Sequence, residues 1–286
     1  MNLTDYQKEL LKIFQEALQY GYSKMSTIPL DYTKTRQKKH LLYLIMGATQ
    51  SYSESILKLI TPPNVYDKAA EVLFRSLIET QINLDYIFAG KSQRNAKVFL
   101  LHSLIDDIDF ADKYKKFISK YPSWKFDFGG MKTVKDWQTF IDKKEKDVLK
   151  IKKKNNIPIN MVIPDLRSRA IQADNYLRSL NRLKQDSSLE FQYVNYYKFF
   201  SQISHLTMPG LERFFHKNPD GSRKLVIDGS QDDFERIGTV TFAIYCSILR
   251  FFLIHYGTYN HLEFKKYKTF IKSISKNKKV ATLQVD

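Results

Sequence analysis

Two polar insertions in otherwise apolar helical sequence carry the residue types that do chemistry. The first is Arg75-Ser76-Leu77-Ile78-Glu79-Thr80, and the second is Ser201-Gln202-Ile203-Ser204-His205. Arg75 and Glu79 stand four residues apart, as do Ser201 and His205, so each pair shares one face of a helix. Charged groups on a buried face cost free energy unless they meet partners, so these groups either satisfy one another or serve a ligand. A guanidinium oriented by its own carboxylate is a clamp for a phosphate or a carboxylate. Histidine exchanges a proton near neutral pH, and a hydroxyl one turn earlier orients or receives it. The plainer alternatives are an intrahelical ion pair for Arg75/Glu79 and a core histidine hydrogen-bonded across helices for His205. Neither serine lies in a Gly-x-Ser-x-Gly elbow, which excludes that class of hydrolase.

A third pair, Arg250 and His255, closes the most apolar helix. In a regular helix these side chains point about 140° apart. They converge only where the helix ends or bends, and Gly257 allows an end there. His255 beside the final carbonyls also reads as a dipole-favoured cap. Asp106, Asp107, Asp109 and Asp112 follow His102 closely enough to suggest a divalent cation, but a solvated acidic helix face is the commoner meaning of such a cluster. Neither a metal nor a cofactor is expected. The single Cys246 excludes an intrachain disulfide and a multi-thiolate metal site, and its apolar setting reads as an inert core cysteine.

The elements that must position these residues are helical almost throughout. The periodicity predicts helices over Tyr6–Lys24, Thr35–Ile60, Tyr66–Ala89, Ser92–Ser119 and Thr133–Lys154. Asp165 then caps a helix to about Leu183, and Ser187–Leu206 carries Ser201 and His205. Gln231–Tyr256 and Tyr259–Ser275 complete the set. Pro62-Pro63 and Gly90 supply stop signals. One segment breaks the pattern: KNPDGSRKLVIDGS, Lys217 to Ser230, reads as a turn, a short strand and another turn. The expectation is an all-α fold, a single multi-helix bundle of about eight or nine helices with a short irregular or β-turn insertion near 217–230. Residues 1–286 are read as one domain with its core at about 35–256, a peripheral excursion at 120–165 and a flexible tail at 276–286.

Composition agrees. Gly 10 and Pro 8 are few for 286 residues, while 43% apolar and 14% aromatic content suffice for a sizeable core. The formal charge of +16 favours a polyanion as partner, nucleic acid first among them, and the lysine concentrations at 143–154 and 265–279 are where phosphates would be tracked. A second copy of the chain is a further candidate partner. Ile237–Ile254 is apolar and about 18 residues long, nearly enough to span a bilayer. Arg250 interrupts it, and a central bundle helix is the reading taken over a membrane span. The N-terminus has acidic residues and no basic start followed by an apolar run, so no secretory signal is evident and a cytoplasmic protein is expected.

The pattern LFRSLIETQINLDYI, followed far downstream by YYKFFSQISHLTM, resembles a bacterial family known only as domain of unknown function 5677. The resemblance covers roughly residues 40 to 256 and implies a largely helical fold. Its two polar signatures fall on Arg75 and Glu79, and on Tyr197, Ser201 and His205. No settled activity comes with it. More distantly, the chain is similar to HEPN-domain proteins, helical bundles that include metal-independent endoribonucleases of toxin and phage-defence systems. Their Arg-x-(four to six)-His motif matches Arg250 and His255 in spacing, with Phe251 where a polar residue is usual. Three functions are therefore in view. The first is an RNA-cleaving enzyme in which Arg75 or Arg250 holds a phosphate and His205 or His255 transfers the 2′-hydroxyl proton. The second is a non-catalytic helical module for an acidic partner. The third is a sensor of a small anion or nucleotide.

Overall fold

Thr4 starts the first helix by local chemistry: its hydroxyl accepts the Gln7 backbone N–H while the Gln7 side chain returns to the Thr4 N–H, a capping box. Thr133 and Asp136 repeat the device further on. Gly90 and Gly257, at φ +82° and +72°, take the left-handed conformation that follows a helix end and that other residues resist. The computed structural model describes residues 3–28, 37–62, 66–90, 93–122, 129–158, 161, 164–181, 188–205, 215–217, 220, 222–225 and 231–276.

Among these the helices are α1 (Asp5–Ser26), α2 (Gln37–Ile60), α3 (Asp67–Phe88), α4 (Arg94–Lys120), α5 (Val134–Lys154) and α6 (Leu166–Ser179). They continue with α7 (Leu189–Gln192), a π-helical turn (Tyr193–Tyr197), α8 (Lys198–Ser204), α9 (Gln231–Tyr256) and α10 (His261–Lys276). The fold is all-α. Its one exception is a small antiparallel hairpin, β1 (Phe215–Lys217) with β2 (Arg223–Leu225), in the register Phe215↔Leu225. The insertion expected at 217–230 as a turn, one strand and a turn is therefore a two-stranded hairpin that begins two residues earlier. Asp220 accepts the N–H and hydroxyl of Ser222 in its turn, at 2.9 and 2.6 Å. The helix expected to reach Leu183 stops at Ser179, and the tail expected from 276 lies, beyond Lys276, outside the described residues.

The chain forms two compact units, 1–89 with 166–286, and 90–165. In the first, α9 is the central helix and packs on α1, α2, α3 and α10. It is long and apolar enough to cross a membrane, and 78% of its most apolar stretch is covered by the rest of the protein. Cys246 lies on it, fully buried, and burial pushes its thiol well above the usual range. Gly238 lets α9 approach α1 and α2, since a Cβ there would stand 3.1 Å from Ile60 and 3.3 Å from Leu10. The core runs past the expected 35–256 limits: α1 buries Leu10 and Phe14, and α10 buries Phe264, Tyr267 and Phe270. Phe242 of α9 meets Phe14 at 5.4 Å and Phe270 at 5.6 Å, which ties both terminal helices to the centre.

The second unit is a helical hairpin of α4 and α5 with its own small core of Ala111, Trp137 and Ile141. The expected excursion at 120–165 is thus the second arm of a unit that starts at Gly90, because α5 needs α4 to cover its apolar face. The acidic residues of α4 are taken up by lysines and a histidine. Asp107 meets Lys144 at 2.6 Å, Asp109 meets Lys113 at 2.5 Å, Asp112 meets Lys116 at 2.6 Å, and His102 meets Asp106 at 2.6 Å.

Candidate functional site

The site is built from α3 and the segment 188–204, which pack together in the first unit. Helix α3 turns a polar ladder toward that segment: Glu71, Arg75 and Glu79, four residues apart each time. The facing chain is not one helix, as its periodicity predicts. After α7 the backbone widens into a π-helical turn, in which the Lys198 N–H reaches back five residues to the Tyr193 carbonyl. One extra residue per turn shifts the phase of everything downstream, and such turns recur at functional sites. Here the shift lays the aromatic run onto α3. Phe74 meets Tyr196 and Phe200 edge-on at 6.1 and 5.5 Å.

Arg75 is the centre of the arrangement. Its Nη2 donates to the Tyr197 phenol oxygen at 2.7 Å, and its guanidinium lies 4.6 Å from the centre of the Tyr197 ring. Its Nε is buried and has no hydrogen-bond partner. Among the described residues it forms no ion pair with Glu79, so the intrahelical pair that spacing suggests is replaced by a contact 122 residues away in sequence. A buried N–H without a partner costs about 1–3 kcal/mol. Tyr197 loses water, and Glu79 adds repulsion for a phenolate, so its pKa rises despite Arg75. The phenol therefore keeps its proton at neutral pH. Since its oxygen accepts from Arg75, that proton is left to donate.

One turn back along α3, the charge is compensated. Glu71 is fully buried and accepts from Arg236 of α9 at 2.9 Å, while the Arg236 guanidinium lies 5.8 Å from the Phe200 ring. Glu71, Arg236 and Tyr193 were not singled out by motif. Glu71 was visible in principle, by extending the Arg75/Glu79 ladder one turn toward the N-terminus. Arg236 had no such signal, because only the packing of α9 brings it there.

Ser201 is half-buried, and His205 is exposed at the end of α8, where its backbone N–H donates to the Ser201 carbonyl at 3.1 Å. Tyr197, Ser201 and His205 thus lead along one segment from the covered guanidinium outward to solvent. Arg250 and His255 have other neighbours. Arg250 faces the Tyr259 ring at 6.0 Å. His255 donates from Nδ1 to the Phe251 carbonyl at 2.9 Å and is flanked by the Phe88 and Phe251 rings at 4.9 and 4.0 Å. Helix α9 ends at Tyr256, with Gly257 left-handed just after it as the spacing allows, and the two side chains meet different neighbours.

A second polar cluster supports the segment from behind. Asp174 of α6, almost fully buried, accepts the backbone N–H groups of Leu189 and Glu190 at 2.8 and 3.0 Å. These are orphan donors of the α7 start, and Ser188 caps the next at 2.9 Å. Arg169, also buried, donates to Asn83 of α3 at 2.8 Å. Loss of water, with Asp174 nearby adding to it, pushes the Asp85 carboxyl from 3.8 up to about 7. An acid whose folded-state pKa is raised costs stability once it ionises. The cost appears as pH rises above 3.8 and is complete above about 7. An Asp85→Asn variant is therefore expected to gain stability over the wild type at pH 8 and clearly less at pH 5, where only part of the cost has appeared. Urea midpoints at the two pH values check this, and an equal gain at both would contradict it.

The model of the family of unknown function DUF5677 matches residues 39–223. The chain belongs to that family. The DUF5677 match runs from α2 to the start of β2 and takes in Arg75, Glu79, Tyr197, Ser201 and His205. It leaves out Arg236, Arg250 and His255. No curated protein and no solved structure matches the chain.

Proposed function

We propose that this DUF5677 protein binds RNA with a backbone phosphate held at Arg75, and that it cleaves the strand without a metal. The observation that carries the reading is the half-buried guanidinium of Arg75, steadied by a tyrosine and, among the described residues, in no ion pair with a carboxylate. Such a cation attracts an anion more strongly than a solvated one does. The Tyr197 phenol proton adds a donor beside it, and the formal charge of +16 favours a polyanion over a small neutral ligand. The setting proposed with it is a bacterial defence or toxin system in the cytoplasm; the HEPN-like spacing of Arg250 and His255 adds no support, because neither residue is given a role in this reading.

For the reaction, the exposed His205 in its neutral form takes the proton of a 2′-hydroxyl. The freed oxygen bonds to phosphorus, the bond to the 5′-oxygen breaks, and the leaving oxygen takes a proton from water. The nucleophile belongs to the substrate and is already adjacent, so positioning supplies much of the rate. Arg75 rather than Arg250 is assigned the phosphate because the Tyr197 hydroxyl stands beside it, and His205 rather than His255 the proton because His255 is engaged by its own helix and two rings.

Incubation of the purified protein with labelled RNA, with and without EDTA, tests both parts. Arg75→Gln is expected to weaken binding by about tenfold or more, the worth of a charge-assisted hydrogen bond. His205→Ala is expected to lower the cleavage rate by about 10²–10⁴-fold without altering binding, and His255→Ala to leave both unchanged. Cleavage abolished by EDTA, or by His255→Ala alone, would overturn the catalytic assignment. Binding without any cleavage would reduce the protein to an RNA-binding module.

A further inference from the structure

Beside Arg75 lies a ring system that the phosphate contact does not use. Tyr193 and Tyr197 stack at 5.1 Å with their planes 17° apart. Tyr197 is occupied by Arg75, but Tyr193 is half-buried and, among the described residues, has Tyr197 as its only ring partner. The next residues outward on the same segment are exposed: Phe191 at 39%, Val194 at 46%, and Asn195 and Lys198 besides. This exposed run is apolar at its start, with Phe191 and Val194, and cationic at its end, with Lys198. No ion pair engages the Lys198 amine among the described residues. Here an exposed aromatic and an exposed aliphatic side chain share a short segment with an exposed lysine, and the half-buried Arg75 packs beside it. It is the composition that holds a single strand, where bases stack on rings and phosphates meet lysine and arginine. A duplex keeps its base faces inside and offers nothing for a tyrosine to stack on.

We propose that the segment 191–198 is a stacking platform for single-stranded RNA, with a nucleobase lying on Tyr193 and the neighbouring phosphates at Arg75 and Lys198. The proposal rests on the phosphate assignment of Arg75 and adds the strandedness of the ligand and the residue that selects it. The π-helical turn supports the role: it places Tyr193 and Tyr197 in one stack while α3 fixes Tyr197 from beneath.

The test is fluorescence anisotropy of a labelled 12-nucleotide RNA, alone and annealed to its complement, against wild type, Tyr193→Ala, Tyr193→Trp and Arg75→Gln. The wild type is expected to prefer the single strand. Tyr193→Ala is expected to weaken single-strand binding by about five- to a hundredfold, the effect of one stacked base, with duplex binding unchanged. Tyr193→Trp is expected to bind at least as well as wild type, and its added indole emission to be quenched as the single strand saturates it. That readout reports stacking directly and separates it from loss of folding. Unquenched emission at saturation, equal binding by Tyr193→Ala, or competition by poly-glutamate as strong as by RNA would overturn the platform. Binding lost in Tyr193→Ala but kept in Arg75→Gln would retain the platform and reject the phosphate clamp. The opposite pattern would retain the clamp and reject the platform.

Discussion

Trp137→Ala is expected to remove about 3–5 kcal/mol from the second unit and to unfold it by itself. Trp137 is 1% exposed and is the largest side chain in the small core it shares with Ala111 and Ile141. Tyr114 packs on it at 4.7 Å, Phe110 at 6.1 Å and Phe140 at 6.2 Å. A two-helix hairpin has little other apolar burial to draw on, so the loss approaches or exceeds what a unit of this size has to spare. Hydrogen exchange is the decisive measurement. Amides of α4 and α5 should lose protection in the variant while those of α2, α3 and α9 keep theirs. Uniform loss across all five helices would mean that the two units fold as one cooperative whole. Unchanged protection of α4 and α5 would mean that Trp137 does not hold the hairpin.

Gly21→Ala is expected to destabilise the first unit by about 1–3 kcal/mol, although the same exchange inside an ordinary helix stabilises by up to about 1 kcal/mol. The reason is a three-helix joint. Tyr245 of α9, fully buried, donates its phenol proton to Gln50 of α2 at 2.6 Å, and the Ala17 carbonyl of α1 lies 3.2 Å from the same oxygen. The Gln50 amide donates in turn to the Leu18 carbonyl at 3.1 Å. A Cβ on Gly21 would stand 2.0 Å from the Tyr245 phenol oxygen, so either the tyrosine or α1 must move. Gly47 of α2 is the control, since its nearest neighbour would be the Met25 methyl at 3.8 Å, an ordinary contact. Gly47→Ala should be neutral or stabilising. Tyr245→Phe should rescue part of the Gly21→Ala loss, because the phenol oxygen is the atom in the way. The four denaturation midpoints form a double-mutant cycle, and strict additivity would refute the steric account.

The polar ladder shows how far spacing alone can be followed. Arg75 and Glu79 were legible as a pair on one helix face, and Ser201 and His205 as another, because a 3.6-residue period is a local property of the chain. What each side chain meets was not legible. Spacing favours an Arg75–Glu79 ion pair, whereas the guanidinium turns to Tyr197. Tyr197 reaches it only because Tyr193–Tyr197 adopts a π-helical turn that no 3.6 period anticipates. The same limit applies at the end of α9. The Arg250/His255 spacing and the helix end after it are real, but the packing around α9 gives the two residues different neighbours.

The sequence by itself determined the all-α class, most helix boundaries, the turn-rich insertion near 217–230 and the residues worth watching. Periodicity, capping residues and glycine stops act over a few positions and need no partner. Tertiary structure decided three further things: that residues 90–165 form a unit of their own, that Glu71 pairs with Arg236, and that Arg75 bonds to Tyr197 rather than to Glu79. Each depends on which faces meet across long separations. Those meetings are selected by the summed burial and packing of whole helices, not by any short stretch of residues.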